Sequence, residues 1–136
     1  KTVHVNYFLI DGRLYLIDLP GYGFAKVPQS EKERWARLME SFFADAEACD
    51  LGVLIVDARH RPTEGDQQMA DWYRSSGMDF LVVANKTDKL KKSEREGSFQ
   101  LIRETLRLGE ETEMIPFSAE SGEGRDVLLH GILSRL

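Results

Sequence analysis

Two apolar runs, at residues 51–57 and 80–84, constrain the fold of this chain more than any other feature. A strand with one face in water alternates apolar and polar residues, whereas a strand covered on both faces is apolar throughout. Each run is followed by apolar residues at helical spacing. We therefore predict that both runs are strands of a parallel sheet connected by helices, and that the strand 51–57 is covered on both faces.

The segment before these runs is predicted to be a hairpin. Asp11 and Gly12 can supply the two positive φ values of a type I′ turn, so residues 3–11 and 13–18 should pair antiparallel. A short strand at 114–117 and a final helix continue the alternation. The predicted fold class is α/β, a doubly wound, mostly parallel sheet with one antiparallel edge hairpin.

Three helices are predicted to begin at capping boxes, in which a Ser or Thr precedes an acidic residue by three positions. The boxes are Ser30 with Glu33, Thr63 with Asp66, and Ser93 with Glu96. Gly77 is expected to end the second of these helices, because glycine readily takes the left-handed conformation that follows many helices.

Size and composition limit the class of protein. At 136 residues the chain is expected to form one domain, 1–136. A net charge of −5 argues against non-specific nucleic-acid binding by the whole surface. Cys49 is the only cysteine, and no apolar run approaches the ~20 residues of a transmembrane helix. We expect a cytoplasmic monomer with no membrane partner.

The first polar motif, Asp18-Leu19-Pro20-Gly21, follows the second strand of the hairpin. In open α/β sheets, ligands bind at the carboxyl ends of strands. There the Asp18 carboxylate can hold a hydrated Mg²⁺ ion, and the N–H of Gly21 can approach a terminal phosphate closely. A strand followed by an ordinary Pro-Gly turn would show the same four residues, so this motif alone is weak.

The second motif, Asn85-Lys86-Thr87-Asp88, follows the run 80–84. The Asp88 carboxylate can accept from the ring N–H and the exocyclic amine of guanine together, a paired contact that adenine cannot offer. Asn85 can bridge toward the imidazole side of the base, and the stem of Lys86 can cover one face of the ring. The alternative is a polar loop between strand and helix.

The third motif, Phe117-Ser118-Ala119-Glu120, follows the last strand. The backbone N–H groups of Ser118 and Ala119 can reach a carbonyl oxygen on the base. The order of the motifs carries more weight than any one of them, because each follows a predicted strand. Together they predict a site for a guanine nucleotide, GTP or GDP, with Mg²⁺.

These motifs resemble the third, fourth and fifth signature motifs of the GTPases. The closer resemblance is to the EngB-type GTP-binding proteins, which belong to the superfamily of TrmE, Era, EngA, EngB and the septins. Residues 18–26 are similar to the switch II of that family, and residues 55–60 with 62–63 are similar to its fourth strand and the following loop. Residues 1–8 resemble its Gly-Lys-Thr segment, so the resemblance covers essentially the whole chain.

The resemblance implies a GTPase switch in assembly of the bacterial large ribosomal subunit, needed for normal cell division and septation. The implied partner is that subunit or its precursor, through ribosomal RNA or a ribosomal protein. Thr2 and Asp18 are the implied metal ligands, and Gly21 would report the γ-phosphate. The implied nucleotide-binding residues are Lys1, Thr2, Asp18, Leu19, Pro20, Gly21, Asn85, Lys86, Thr87, Asp88, Phe117, Ser118 and Ala119.

The chain departs from the GTPase pattern at two points. No Gly-x-x-x-x-Gly-Lys-Ser loop, which would cradle the α- and β-phosphates, occurs in it. We expect truncation before Lys1 and weak GTP binding by these residues alone. Tyr22 stands where many GTPases have a glutamine that orients the attacking water, so we expect slow hydrolysis, helped by a partner or a monovalent cation, and assign no catalytic residue.

Two other classes of protein remain open. One is a degenerate GTPase domain that lacks the phosphate loop and acts as a non-catalytic binding module. The other is a flavodoxin-like domain without GTP chemistry, for which Asp88 would have no special role. A run of basic residues is either a solvated helix start or a patch that faces RNA or phosphate. It comprises Lys86, Lys89, Lys91, Lys92 and Arg95.

Overall fold

The computed structural model describes residues 4–21, 27–45, 47 and 49–136. Within them the chain forms five strands, four α-helices and one 3₁₀ turn. They fall into two compact units, Lys1–Cys49 and Asp50–Leu136. The single domain expected for the whole chain stays a prediction.

The first unit contains the predicted hairpin. Strands β1 (Asn6–Ile10) and β2 (Leu14–Asp18) pair antiparallel and form a sheet of their own. Asp11 and Gly12 have φ values of 51° and 65°, as a type I′ turn requires. The N–H of Arg13 closes the turn by donating to the last carbonyl of β1 at 3.0 Å. The hairpin prediction is therefore confirmed, with strands shorter than expected.

Helix α1 (Gln29–Ala44) begins earlier than the sequence predicts. Its N-cap is Pro28, whose side chain makes no capping hydrogen bond, so the predicted box of Ser30 and Glu33 is wrong. The ring of Pro28 fixes φ at −58° just before the first turn, and this backbone geometry starts the helix without a hydroxyl cap. Both residues of the expected box lie inside the helix.

The second unit alternates three strands with three helices. In chain order these are β3 (Gly52–Asp57), α2 (Glu64–Ser75), β4 (Phe80–Asn85), α3 (Lys92–Leu106), β5 (Met114–Pro116) and α4 (Arg125–Leu133). The strands are parallel, and β4 lies between β3 and β5. This arrangement confirms the predicted α/β class.

Helices cover both faces of the parallel sheet. On one face Leu128 of α4 packs against the buried cluster of Leu81, Val83 and Ile115. Tyr73 of α2 stacks on Phe80 with ring centroids 5.1 Å apart. Because neighbouring residues of a strand point to opposite faces, Phe80 and Leu81 place these two helices on opposite sides. The central strand β4 is consequently buried at every residue but its last.

Strand β3 is less covered than its apolar run predicts. Leu54 and Val56 are each 2% exposed, but Ile55 between them is 57% exposed. The register places Ile55 opposite Val83, on the face that carries α4. Val53, two residues earlier on this face, packs against the cluster under α4, so the prediction that β3 is covered on both faces is wrong at Ile55 but not at Val53.

Of the two capping boxes that the sequence predicts in this unit, the one at the start of α2 is confirmed. Thr63 and Asp66 form the predicted capping box of α2, with hydrogen bonds of 2.9 and 3.1 Å, and Gly77 follows the helix with φ 70°. The box predicted at the start of α3 is wrong. Glu94 accepts instead from the N–H of Lys91 at 2.8 Å, so α3 begins two residues early. None of the described helices is long and apolar enough to cross a membrane.

Candidate functional site

The second polar motif forms a sharp turn at the carboxyl end of β4. Asn85 ends the strand, and Lys86 takes a left-handed conformation with φ 69° and ψ 35°. This conformation is uncommon for residues other than glycine. The next three residues form the 3₁₀ turn Thr87–Lys89. The N–H of Thr87 donates to the carbonyl of Phe117 at 3.1 Å, which ties this loop to the end of β5.

The third motif meets the second directly. The fully buried Ser118 follows β5, and its Oγ donates to Oδ1 of Asp88 at 2.9 Å. Phe117 continues the sheet by donating from its N–H to the carbonyl of Ala84 at 2.8 Å. Two motifs that lie 30 residues apart in the chain therefore share one site.

The donors of this loop differ from the prediction in one respect. The N–H of Ser118 donates to the carbonyl of Glu123 at 3.0 Å, so it is not available to a base. Ser118 acts through its hydroxyl on Asp88 instead. The N–H of Ala119 has no acceptor within the part of the chain that the structure describes, and Ala119 is exposed. The predicted pair of backbone donors is reduced to this one.

A third strand contributes an acidic residue to the same edge. Asp57 ends β3 opposite Asn85 in the parallel register. Arg59 donates to its carboxylate from Nε at 3.0 Å and from Nη2 at 2.8 Å, and Nζ of Lys86 lies 3.7 Å away. No role was predicted for Asp57 from the sequence. Its position at a strand end, like that of Asn85, is the signal that could have revealed it.

Basic neighbours keep the carboxyl group of Asp57 ionised. Hydrogen bonds from the side chain of Arg59 lower the pKa of Asp57 to about 2, although burial opposes them, and the charge of Lys86 adds to the effect. Asp57 is thus ionised at neutral pH. Its carboxylate can anchor Lys86, whose stem is predicted to cover a base.

Arg59→Gln is expected to raise the pKa of Asp57 from about 2 toward 3.8. Because the pKa is lower in the folded than in the unfolded protein, the pair stabilises the fold above pH 3.8, and this stabilisation is lost as the pH falls toward 2. NMR titration of the Asp57 carboxyl carbon measures the shift. Arg61 is exposed, so Arg61→Gln serves as the control. An Asp57 pKa that is unchanged in Arg59→Gln would contradict this assignment.

The first motif lies in the first unit. Asp18 ends β2 and is exposed, as is Gly21, while Pro20 is buried and its carbonyl accepts from the indole N–H of Trp35 at 3.1 Å. Lys1, Thr2 and Tyr22 lie outside the described residues. Among the residues that the structure does describe, no group of three or more His, Cys, Asp or Glu side chains could hold a metal ion.

Solved structures show that the fold is that of a GTPase domain. A crystal structure of a probable GTP-binding protein engB aligns with 97% of this chain and 81% of its own, with a TM-score of 0.83 and 21% identity. A crystal structure of Era in complex with MgGDPNP and nucleotides 1506-1542 of 16S ribosomal RNA aligns with 97% of this chain and 43% of its own. Its TM-score is 0.65 and its identity 24%.

Sequence comparisons establish the family. The family model of the 50S ribosome-binding GTPases matches residues 1–86. The "Probable GTP-binding protein EngB" of Clostridium acetobutylicum is 40% identical over 134 residues, which are 98% of this chain and 67% of the relative. Its counterpart from Halothermothrix orenii is 44% identical over 126 residues, 92% of this chain and 63% of the relative. The chain belongs to the EngB family of GTP-binding proteins, and it spans about two thirds of the length of these relatives.

Proposed function

We propose that the protein containing this chain binds GTP and GDP and hydrolyses GTP to GDP and phosphate. The observation that carries the proposal is the hydrogen bond from Ser118 to Asp88. It engages Oδ1 of the carboxylate, while Oδ2 lies 3.8 Å from Nζ of Lys89 and the side chain of Asp88 stays 21% exposed. The free lone pairs can then accept from the ring N–H and exocyclic amine of guanine.

Neighbouring groups complete the proposed base site. The stem of Lys86, whose side chain is 49% exposed, covers one face of the ring while Asp57 holds its ammonium group. Asn85 bridges to the imidazole side. Ala119 donates its backbone N–H to the carbonyl oxygen of the base. Adenine presents neither the ring N–H nor that carbonyl, so it would leave these groups unpaired at a cost of about 1–3 kcal/mol each.

The residues that we propose for binding phosphate and metal lie in the first unit. Asp18 is an exposed carboxylate at a strand end, which suits an ion such as Mg²⁺ that keeps most of its waters and takes few protein ligands. Thr2 would be the second ligand, Lys1 and Leu19 to Gly21 would line the phosphates, and Gly21 would sense the γ-phosphate. The ion would supply neutralisation of phosphate charge.

Hydrolysis is proposed to proceed by in-line attack of water on the γ-phosphorus, with the protein positioning the reactants. Tyr22 carries no amide that could orient this water, so intrinsic turnover is slow and depends on a partner or a monovalent cation. Release of the γ-phosphate would free Thr2 and Gly21, which makes the reaction a switch.

The proposed cellular role is assembly of the large ribosomal subunit in the bacterial cytoplasm, with consequences for cell division and septation. Support comes from the match of residues 1–86 to the family model of the 50S ribosome-binding GTPases. A second support is the GTPase Era, whose fold is shared and whose structure contains 16S ribosomal RNA. The proposed partner is the large subunit or its precursor, bound by a monomer.

A titration with GTP, GDP and ATP tests this function. The protein extended upstream of Lys1 to include a phosphate loop is expected to bind GTP and GDP at least about 100-fold more tightly than ATP. The 136 residues alone are expected to bind weakly, because the contacts to the α- and β-phosphates are missing.

The same protein distinguishes the rival functions. Hydrolysis that accelerates with potassium or with ribosomal large subunits is expected. Equal affinity for ATP and GTP would contradict the base site. An upstream sequence without a glycine-rich loop, together with no hydrolysis, would instead indicate a non-catalytic binding module.

A further inference from the structure

Glu123 lies at a junction of the two loops that form the proposed base site. Its carboxylate accepts from the hydroxyl of Thr87 at 2.6 Å and from Nη1 of Arg95 at 3.0 Å, and Nη2 of Arg95 makes a second, shorter contact. Thr87 is 36 residues away in the chain and Arg95 is 28 residues away. Neither contact follows from local sequence pattern, and neither was predicted.

The backbone around Glu123 is built to hold it in place. Gly122 and Gly124 on either side have φ values of 83° and 79°, which residues with a side chain rarely adopt. A Cβ on Gly124 would collide with the carbonyl oxygen of Pro116. The Glu123 carbonyl accepts from the N–H of Ser118. The backbone of Glu123 therefore bonds to Ser118 within the loop that follows β5, and its side chain bonds to Thr87 in the loop that follows β4.

These contacts close a ring through the site. Ser118 donates its hydroxyl to Asp88 and its N–H to Glu123, and Glu123 accepts from Thr87, the residue before Asp88. Thr87 is only 2% exposed, and its hydroxyl has two internal acceptors, the Glu123 carboxylate and the carbonyl of Phe117 at 3.1 Å. Loss of the Glu123 contact would leave Thr87 joined to Phe117 and Asp88 joined to Ser118, so the loop of Asp88 would lose one of several contacts that orient it.

Arg95 anchors this ring to helix α3. Its guanidinium makes two contacts with the Glu123 carboxylate and lies 5.2 Å from the ring centroid of Phe99, which fixes its orientation. Hydrogen bonds from Arg95 and then from Thr87 lower the pKa of Glu123, so the carboxylate is ionised at neutral pH. The pairing of a planar cation with a carboxylate gives the junction a defined geometry.

We propose that Glu123 and Arg95 are positioning residues that set guanine specificity, although neither touches the base. They hold the Asp88 carboxylate at the angle at which it accepts from both the ring N–H and the exocyclic amine. The inference rests on the proposed function of the site. Its consequence is specific, because misalignment weakens recognition of the amine more than binding of the phosphates.

The test compares GDP with IDP, which lacks the exocyclic amine, in the protein extended upstream of Lys1. Glu123→Gln and Arg95→Gln are each expected to reduce the ratio of the IDP to the GDP dissociation constant about 10-fold. Thr87→Val, which removes only the hydroxyl, is expected to act in the same direction. Glu96→Gln changes an exposed neighbour of Arg95 in α3 and should leave the ratio unchanged.

The readout separates positioning from general support of the fold. All variants are measured at a temperature at which circular dichroism shows them folded. If Glu123→Gln and Arg95→Gln weaken GDP and IDP equally, or lower only the melting temperature, the positioning role is overturned while the proposed function stands. If the unmodified protein itself does not prefer GDP to ADP, the proposed function and this inference both fail.

Discussion

Asp88→Asn is expected to abolish guanine recognition and to create recognition of xanthine in the protein extended upstream of Lys1. The amide N–H₂ of asparagine repels the ring N–H and amine of guanine, but it can donate to the oxygen that xanthine carries in place of the amine. Ser118 can still donate to the remaining oxygen of the side chain, so the loop should keep its shape.

The expected size of this effect is large, because the site would present a donor where guanine also has donors. We expect GDP affinity to fall roughly 10²- to 10⁴-fold while XDP affinity rises. Calorimetric titration with GDP and XDP measures both. Asp126→Asn is the matched control, since the Asp126 side chain is 94% exposed on α4. A variant that binds GDP with unchanged affinity would contradict the assignment of Asp88 to the guanine base.

Leu81→Ala is expected to produce the largest loss of stability, about 2–5 kcal/mol in the free energy of unfolding. Leu81 is fully buried in the central strand and belongs to the cluster that carries α4. Truncation of the Leu81 side chain loses the free energy of transferring its methyl groups from water to the core. It also leaves a cavity under Leu128 that the sheet cannot close. Urea unfolding of the 136-residue chain, followed by circular dichroism, measures the change.

Ile55→Ala is the matched control for this prediction. Ile55 lies on the same face of the sheet, one strand away, but it is 57% exposed. Its truncation should cost less than about 1 kcal/mol, because surface substitutions rarely exceed this value. Equal costs at the two positions would contradict the packing of α4 over β4 and β5.

Local chemistry explains which elements could be predicted. Asp11 and Gly12 define their turn through their own φ preferences, and Thr63 and Asp66 cap α2 through bonds that span three residues. The boxes at Ser30 and Ser93 failed for an equally local reason. In each case the helix begins two residues earlier. Pro28 is the N-cap of α1, and the N–H of Lys91, bonded to Glu94, marks the start of α3.

The three polar motifs and their positions after strands could be read from the chain alone, because strand ends and tight turns are encoded by neighbouring residues. What that reading could not supply is how the side chains of Asp88, Ser118 and Glu123 meet. Those contacts join residues up to 36 positions apart, and they depend on the register of β4 with β5 and on the path of the connecting helix. Only folding brings such distant groups within hydrogen-bonding distance, so tertiary structure decided which donors remain for a base and which are already used.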